Sequence, residues 1–414
     1  KIHRSSPDRL SLSPSALAHD SKMGIKQLTK MIGDSAPDAI KEQAIGAYFG
    51  RKVAVDASMS IYQFLIAMQS RDGTVMMTNE AGENTGPLNG IMHRTAKMLE
   101  SGIKPVYVFD GKPPELKSAT IADRREKRDE ADKAMEKARE EGDDAAVEKF
   151  SKRNMRVTKE MTEDVKTMLR LMGVPVVEAP TEAEAQCAEL AKKGLVYAAV
   201  SEDMDTLTFG APVMLRNVFA PESRKLPILE ITLSKVLEGL ELNIDQFVDL
   251  CILMGCDYCG TIRGIGPKTA QTLMQKHGTM EKVIASVDVE KHPLPDPFNH
   301  EEIHKFFITP EVTDSATLEA DGIMVWKDCD EAAFKKFMVE EKQFDEKRIQ
   351  AVIERIKKSR GTNTQQRLDG FFKVLPNTNP SAKKPTPKDM KGKSMTGKTS
   401  HGGKGGKSGI SKKK

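Results

Sequence analysis

The sequence predicts an α/β fold with a central, mainly parallel sheet flanked by helices. Between about residues 51 and 220, short apolar runs alternate with longer segments whose composition favours helix. The apolar runs are continuous and do not alternate with polar residues, which is typical of parallel strands buried on both faces. The intervening segments are long enough to form crossover helices, so the pattern indicates a sheet covered by helices.

Five segments of this region are predicted to be buried strands. They are RKVAVD (51–56), KPVYVFD (104–110), GVPVVEAP (173–180), LVYAAVSED (195–203) and VMLRNVF (213–219). Between the third and fourth strands, the segment EAEAQCAELAKKG (182–194) is a predicted crossover helix, with Gly194 as its C-terminal stop.

A long charged region over about residues 111–158 interrupts this alternation. Its composition favours helix, but its apolar face is narrow and the run EEGDD breaks it in the middle. Such a helix is poorly suited to a core. The region is therefore predicted to be a helical hairpin that projects from the body, and the alternative is an ordinary solvated charged face.

The C-terminal part changes composition twice. Residues of about 245–280 predict a helix, a Gly-rich turn and a second helix, and residues 300–358 predict polar helices. From 359 to 414 the chain is rich in Gly, Ser, Lys, Pro and Thr, which predicts a disordered tail. We therefore expect a globular domain over 23–358, preceded by an extension over 1–22.

The net charge of +4 conceals an asymmetric distribution. Residues 373–414 contain twelve lysines and a single acidic residue, so the remainder of the chain is net acidic. The overall charge therefore gives no argument that the body binds nucleic acid, and local patches must carry that argument. No uninterrupted apolar run approaches the roughly 20 residues that span a bilayer, so we expect no transmembrane helix.

Residues 1–22 are rich in Ser and begin with Lys, whereas Met23-Gly24 resembles a natural start. This extension could be the remnant of an organellar targeting peptide, or an upstream, disordered addition. We expect the second.

The cysteines predict reduced thiols in a reducing compartment. Their number is odd and no secretory signal is evident. Cys256 and Cys259 form a C-x-x-C motif, which could be redox-active or supply half of a zinc site. The sequence has no second pair at similar spacing, so we expect the thiols to be incidental.

Acidic residues cluster where the predicted strands end. Ligands of open α/β sheets bind at the carboxyl ends of the strands. Asp203 and Asp205 are two residues apart, so in extended chain both side chains point to the same face. The candidates are Asp56, Asp110, Glu182, Glu184, Asp203, Asp205 and Asp257.

Taken one at a time, these acids have simpler explanations. Thr181 and Glu184 have the spacing of a capping box, and acids in a first helical turn favour the helix dipole. Together, however, they would repel each other at one sheet edge unless cations neutralised them. A site rich in carboxylates and without His suits Mg²⁺ or Mn²⁺. Two such ions about 4 Å apart are the arrangement that promotes in-line attack on a phosphodiester.

Cations suited to a phosphodiester lie nearby in the sequence. Lys117 and Arg124 follow Asp110 at the base of the predicted hairpin, where they could contact the scissile phosphate. The turn RGIGPKTA (263–270) is typical of a Gly-rich hairpin whose backbone N–H groups bind DNA phosphates without reading sequence. The charge of Lys268 would add to the dipole of the following helix. A Gly-Pro turn without a ligand is the alternative.

These segments together resemble the flap structure-specific endonuclease family, in its eukaryotic branch. The resemblance extends from Met23 through RLDGFFKV and rests on long matches. These are MGIKQLTKMI, VAVDASMSIYQFLIA, KPVYVFDGKPPELK, EAPTEAEAQCA, SEDMDTL and LMGCDYCGTIRGIGPKTA. It implies a PIN-like 5′-nuclease fold with a helical arch over about 111–158 and a helix–two-turn–helix element over about 245–280.

The resemblance also implies an activity. The protein would be a structure-specific 5′-flap endonuclease with 5′–3′ exonuclease activity, cutting near junctions of single- and double-stranded DNA in Okazaki fragment maturation and long-patch base excision repair. The cofactors would be two Mg²⁺, with Mn²⁺ as a substitute and K⁺ at the helix–two-turn–helix element. We expect a nuclear protein, with a possible organellar fraction, whose nuclease body is monomeric.

Matched by motif, the resemblance assigns roles to individual residues. All seven acids would be metal ligands or their water-mediated partners, and Lys117 and Arg124 would be the catalytic cations. Tyr62 would stack on a displaced base, with a packed helical aromatic as the alternative. The remaining DNA contacts would be Arg94, Lys97, Arg128, Arg263, Gly264, Gly266 and Lys268.

The stretch QQRLDGFFKV in the tail has the pattern Q-x-x-L-x-x-F-F. An apolar cluster in a disordered tail has no core to join, and a short helical turn would present it to a groove of a partner. The resemblance implies that this partner is the sliding clamp PCNA. The contacts would be Gln365, Leu368, Phe371 and Phe372.

The chain also departs from the family pattern. Ala81 stands where the acidic block that closes the 3′-flap pocket usually has an acid, so the 3′-flap preference stays open. Two alternative functions also remain, a related 5′-exonuclease or excision nuclease and a non-catalytic DNA- or clamp-binding scaffold. The compact length argues against the first, and the presence of all seven acids argues against the second.

Overall fold

A seven-stranded mixed sheet forms the centre of the molecule. The computed structural model describes residues 24–25, 27–67, 78–80, 82–153, 156–220 and 224–362. The strands are β1 (Ile40–Gln43), β2 (Lys52–Asp56), β3 (Lys104–Phe109), β4 (Val176–Glu178), β5 (Ala198–Val200), β6 (Val213–Arg216) and β7 (Ile228–Thr232). Their order across the sheet is β1-β7-β6-β5-β2-β3-β4.

The five predicted strands are present and form the parallel part of the sheet. The central strand β2 pairs in parallel with β3 on one side and β5 on the other, with Val55 opposite Tyr107 and Val200. Strand β4 continues this part beyond β3, and β6 continues it beyond β5. Parallel strands place their carboxyl ends at one edge, so the residues after β2, β3, β4 and β5 meet there.

Two antiparallel strands at one side of the sheet were not predicted. Strand β7 pairs with β6, and β1 pairs with β7 so that Ile40 lies opposite Ile231. Strand β1 has the sequence IKEQ, with a single apolar residue, because it is an edge strand with little surface to bury. So weak an apolar pattern cannot be distinguished from a loop by sequence alone.

Helices cover both faces of the sheet. In chain order they are α1 (Leu28–Ser35), α2 (Ala57–Ala67), α3 (Gly86–Glu100), α4 (Ser118–Glu140), α5 (Asp144–Arg153), α6 (Lys159–Leu171), α7 (Ala183–Lys192), α8 (Asp205–Thr208), α9 (Leu233–Leu240), α10 (Ile244–Met254), α11 (Pro267–His277), α12 (Met280–Ser286), α13 (His300–Ile308), α14 (Ser315–Ala320), α15 (Glu331–Lys335) and α16 (Glu346–Thr362). A π-helical segment, Lys336–Glu341, follows α15.

Two hydrophobic cores lie on opposite faces of the sheet. Ala54 of β2 belongs to the core that contains α1, α7 and α10, whereas Val53 and Val55 belong to the core that contains α3, α6 and α16. Successive side chains of a strand point to opposite faces, so a strand buried on both faces must be apolar at every position. This double burial explains the continuous apolar runs of the sequence.

The charged region forms a helical hairpin, as the sequence predicts. Helices α4 and α5 pack against each other, and the chain reverses at Gly142, whose φ of 70° is readily adopted only by glycine. The buried residues of α4 are Ala131 and Ala138. Because α4 buries so little side-chain surface, its position depends on packing against α5 and on contacts of its first turns with the body, such as that of Thr120 with Asp257.

Some predicted boundaries differ from the structure. Strand β5 ends at Val200, three residues before the predicted limit, and a short turn leads into α8. The last helix continues to Thr362, past the predicted domain boundary at 358. Of the helices within the described ranges, none is long and apolar enough to cross a membrane.

Candidate active site

The carboxyl edge of the parallel strands carries a buried aspartate at its centre. Asp56 is the last residue of β2 and is 2% exposed. Its Oδ1 accepts a hydrogen bond from Met59 N at 3.0 Å, and its Oδ2 accepts one from Ser201 Oγ at 2.9 Å. Both oxygens are therefore held in fixed directions by the start of α2 and by the residue that follows β5.

Three further carboxylates converge beside it. Asp110 follows β3, and Glu182 and Glu184 lie at the start of α7. One carboxylate oxygen from each lies within 4.8 Å of the others. Asp110 is tied to α7 by its Oδ1, which accepts a hydrogen bond from Ala183 N at 2.8 Å. The sheet edge and one helix N-terminus thus form a three-carboxylate cluster.

The capping-box explanation of Glu184 is wrong. Helix α7 begins after Glu182, which occupies the N-cap position without a side-chain cap. The Thr181 hydroxyl donates instead to the carbonyl of Glu311 at 3.0 Å. Glu184 Oε2 is buried and has no hydrogen-bond partner among the described residues. An unsatisfied buried oxygen is costly, so this carboxylate is available for a ligand.

Asp203 and Asp205 lie together, but not for the predicted reason. They do not share one face of an extended strand, because the chain turns after Val200 and Asp205 is the first residue of α8. Asp203 Oδ1 accepts a hydrogen bond from Asp205 N at 3.0 Å, and both side chains are buried. Asp205 Oδ1 is a second buried oxygen that lacks a partner within the described ranges.

Glu202, which the same turn contains, faces elsewhere. Its carboxylate accepts hydrogen bonds from Arg216 Nε at 3.3 Å and from Asn217 N at 2.6 Å. It therefore fixes the end of β6 and takes no part in the acidic cluster.

Burial raises the pKa of five buried acids of the site, which are Asp56, Glu182, Glu184, Asp203 and Asp205. It is the largest cause for Asp56, whose pKa rises to about 7 with Asp110 as the next contribution. It also raises the pKa of Glu184, with help from the Asp56 charge, and that of Asp205, with help from Asp203. Without a cation, these groups cannot all be ionised at neutral pH.

A bound divalent cation fits this donor set. All available ligand atoms are carboxylate oxygens, which hard cations such as Mg²⁺ and Mn²⁺ prefer. Two buried carboxylate oxygens, Glu184 Oε2 and Asp205 Oδ1, lack partners within the part of the chain that is described. Positive charge at this position would lower the pKa of the carboxylates and satisfy these oxygens.

Two cations of the chain already lie against the acids. Lys117 Nζ is 2.5 Å from Glu182 Oε2 and 3.5 Å from Asp257 Oδ2. Arg124, in α4, places Nη2 2.7 Å from Asp257 Oδ1 and 2.8 Å from Oδ2. Burial by itself would lower the pKa of Lys117, but the charges of Glu182 and Glu184 outweigh burial and raise it. The base of the hairpin is thereby tied to the acidic cluster.

Three further residues shape the site, and sequence reasoning missed two of them, Ser201 and Tyr258. Ser201 orients Asp56, and the Tyr258 ring lies 5.8 Å from Lys117 Nζ. Gly24 has a φ of 70°, and any side chain there would collide with the Asp203 carboxylate. Tyr258 directly follows Asp257, and Ser201 lies two residues before Asp203, so closeness to predicted acids is the one signal that could have found them. Gly24 belongs to the Met23-Gly24 start that the sequence itself marks.

The Gly-rich turn connects α10 and α11 as predicted. Gly264 has a φ of 81°, and His292 Nδ1 lies against it while forming a 2.8 Å hydrogen bond with the Arg263 carbonyl. Gly266 precedes α11 and has open space where a side chain would be. Lys268, in the first turn of α11, is exposed. The turn presents backbone to solvent and is braced from behind.

The other predicted DNA contacts lie on helices α2, α3 and α4. Tyr62 is half-buried on α2, and Arg128 on α4 donates from Nε to the Arg124 carbonyl. Arg94 and Lys97 of α3 line a cleft, and Arg94 Nη2 donates to the Ala220 carbonyl at 2.9 Å.

Some predictions fall on residues outside the described ranges. These are the extension over 1–22, the altered acidic position Ala81 and the clamp motif with Gln365, Leu368, Phe371 and Phe372. They stay predictions.

Models of two protein-family regions match the chain. The XPG N-terminal domain matches residues 23–131, and the XPG I-region matches residues 173–257. Together the two matches include all seven candidate acids. Asp257 is the last residue of the second match. They omit all of the hairpin's second helix, α5.

Curated relatives and a solved structure match most of the chain. Flap endonuclease 1 of Chlamydomonas reinhardtii is 55% identical over 354 residues, which cover 86% of this chain and 88% of the relative. Flap endonuclease 1 of Homo sapiens is 52% identical over 377 residues, covering 91% and 98%. The structure of flap endonuclease-1 from Methanococcus jannaschii superposes with a TM-score of 0.60 at 33% identity and covers 80% of this chain and 99% of that one.

Proposed function

The chain belongs to the flap endonuclease family and is a structure-specific flap endonuclease, and from this premise we propose that it hydrolyses 5′ flaps with two Mg²⁺ ions as cofactors. The observation that carries the proposal is the set of carboxylates at the carboxyl edge of the sheet, two of which have buried oxygens without a partner among the described residues. Mn²⁺, with the same preference for oxygen ligands, would substitute.

The ions would be held by two groups of acids. One ion would lie beside Asp110, Glu182 and Glu184, with Asp56 nearby, and the other beside Asp203, Asp205 and Asp257. Bound there, the ions would supply Lewis-acid stabilisation of the phosphodiester and a more acidic bound water. In this arrangement the acids would serve as metal ligands, and no side-chain nucleophile would be needed.

The residues of the chain position and neutralise the phosphate. Lys117 and Arg124 now neutralise Glu182 and Asp257, which metal ions would also neutralise. If metal ions neutralised these acids, Lys117 and Arg124 would be free to pair with the negatively charged scissile phosphate. Arg124 lies on the hairpin, so DNA that moved the hairpin would also move this catalytic cation.

Cleavage of a labelled double-flap DNA tests this function. We expect cleavage near the junction with Mg²⁺ and loss of cleavage with EDTA. Asp203→Asn should lower the rate by about 100-fold or more, since a missing ligand weakens both metal binding and charge stabilisation.

A neighbouring acid provides a matched control for this substitution. Glu202 precedes Asp203 in the turn, but its carboxylate pairs with Arg216. Glu202→Gln should therefore retain cleavage when circular dichroism shows a folded protein. If Asp203→Asn cleaves as fast as the parent chain, the assignment of the metal site is wrong.

The helix–two-turn–helix element and the α3 cleft would hold the duplex. The turn with Arg263, Gly264 and Gly266 offers backbone N–H groups without side chains in the way, and Lys268 adds charge. We propose K⁺ at this turn, as the family resemblance implies. Arg94, Lys97 and Arg128 would contact the DNA backbone, and Tyr62 would stack on a displaced base.

We further propose that the tail binds the sliding clamp PCNA through Gln365, Leu368, Phe371 and Phe372. Support comes from the sequence alone, in an apolar cluster within an otherwise polar tail. The double substitution Phe371→Ala with Phe372→Ala should abolish stimulation by the clamp and leave basal cleavage intact. Equal loss of both activities would instead indicate a folding role.

The proposed setting is Okazaki fragment maturation and long-patch base excision repair, which requires a nuclear protein. A Lys-rich tail supports this setting, since it suits both import and attraction to DNA. Imaging of the tagged full chain tests the location, and exclusion from the nucleus would contradict it.

A further inference from the structure

Cys256 and Cys259 face each other across a tight turn. Their backbones form an antiparallel bridge, with Cys259 N donating to the Cys256 carbonyl at 3.4 Å. The two Sγ atoms are 3.6 Å apart. Both residues are half-buried, whereas Cys187 and Cys251 are fully buried. The C-x-x-C motif is thus a preformed thiol pair, partly exposed, and not two unrelated cysteines.

This thiol pair encloses a residue of the active site. Asp257 lies between the two cysteines in the turn, where its carboxylate pairs with Arg124 and Lys117. Its carbonyl accepts a hydrogen bond from Thr120 Oγ1 at 2.6 Å, which ties the turn to the hairpin. A change in the backbone of this turn would therefore act on a candidate metal ligand and on its contact with the base of the arch.

We propose that Cys256 and Cys259 are a redox modification site, and that their disulfide slows flap cleavage by displacing Asp257. The proposal rests on the role assigned to Asp257 in the proposed function. A sulfur–sulfur bond of about 2 Å is much shorter than the present separation of 3.6 Å, so the two side chains must move toward each other, and we expect the short turn between them to follow. A ligand displaced by about 1 Å can cost about 100-fold in rate.

The chemistry is a thiol–disulfide exchange with a low-molecular-weight disulfide such as glutathione disulfide. One cysteine thiolate attacks a glutathione sulfur, which forms a mixed disulfide and releases one glutathione thiolate. The second cysteine then attacks the protein sulfur of that mixed disulfide and releases the other glutathione. The two cysteines lose two protons and two electrons, and glutathione disulfide is reduced to two thiols. In a reducing compartment such a bond would be transient, as a regulatory disulfide is.

The test exposes the full-length protein to glutathione buffers of increasing disulfide content. Free thiols are then alkylated, and the peptide with Cys256 and Cys259 is analysed by mass spectrometry while flap cleavage is measured in parallel. We expect an internal disulfide in this peptide, a fall of about 10-fold or more in the cleavage rate, and recovery with dithiothreitol.

Serine variants separate this site from other thiols. Cys256→Ser and Cys259→Ser should each lose the redox dependence, judged against the reduced rate of the same variant. Cys329→Ser removes another half-buried cysteine and should keep the dependence. The proposal is overturned if only a mixed disulfide with glutathione forms, if the internal disulfide leaves cleavage unchanged, or if Cys256→Ser still responds.

Failure of this proposal can be distinguished from failure of the proposed function. Asp257→Asn is assayed in the fully reduced protein, where no disulfide is present. If this variant cleaves normally, the role of Asp257 is wrong. If it is impaired but oxidation of the parent chain has no effect, only the redox site is wrong.

Discussion

At the scale of single residues, charge balance around Lys117 governs the site. Its ammonium group is 2.5 Å from Glu182, and its side chain is only 16% exposed. Nearby, Asp205 and Glu184 have buried oxygens without partners among the described residues, and burial raises the pKa of both acids. One internal cation thus offsets part of a negative cluster, and the remainder destabilises the metal-free fold.

Removal of a buried negative charge should stabilise the metal-free protein, and removal of the buried positive charge should destabilise it. In EDTA, Asp205→Asn should raise the melting temperature by about 2 °C or more, because an unfavourable buried carboxylate is removed. Lys117→Met should destabilise the metal-free protein by about 3 kcal/mol, because Glu182 loses its partner. Both variants should cleave poorly. Differential scanning calorimetry and the flap assay measure these effects.

Added Mg²⁺ supplies the control for this pair of variants. Since Mg²⁺ binding stabilises the folded state, it should raise the melting temperature of Lys117→Met more than that of Asp205→Asn. Equal destabilisation of both variants in EDTA would show that packing, and not charge, dominates at this site.

At the scale of elements, the turn between α10 and α11 contains two glycines with different roles. Gly264 needs its φ of 81°, and His292 leaves no room for a side chain there. Gly266 has ordinary extended backbone and open space around it. The first glycine is required for the fold of the turn, and the second only for the approach of a ligand.

Alanine substitutions should separate these two uses. Gly264→Ala should lower stability by about 1–2 kcal/mol and weaken DNA binding. Gly266→Ala should change stability by less than about 0.5 kcal/mol, yet weaken binding of duplex DNA about 10-fold by blocking one backbone contact to phosphate. Thermal unfolding and fluorescence anisotropy measure the two effects. Unchanged binding by a folded Gly266→Ala would exclude the turn as a phosphate site.

At the scale of the whole molecule, an element could be predicted from the sequence where its apolar or charged residues form a clear local pattern. The parallel strands and the hairpin were predictable because double burial and charge leave clear patterns in the sequence. The edge strand β1 was not, since its pairing with β7 depends on residues nearly 190 positions away. The seven acids could be identified from the predicted strand ends and the family motifs. The turn at Asp203 and the contact between Gly24 and the Asp203 carboxylate could not, because they depend on tertiary packing.

The central claim is that carboxylates from distant parts of the chain converge to bind divalent cations. Anomalous diffraction from crystals soaked in Mn²⁺ tests it most directly. We predict two peaks about 4 Å apart, one beside Asp110, Glu182 and Glu184 and the other beside Asp203 and Asp205. Saturating Mn²⁺ with no peak among these carboxylates would contradict the claim.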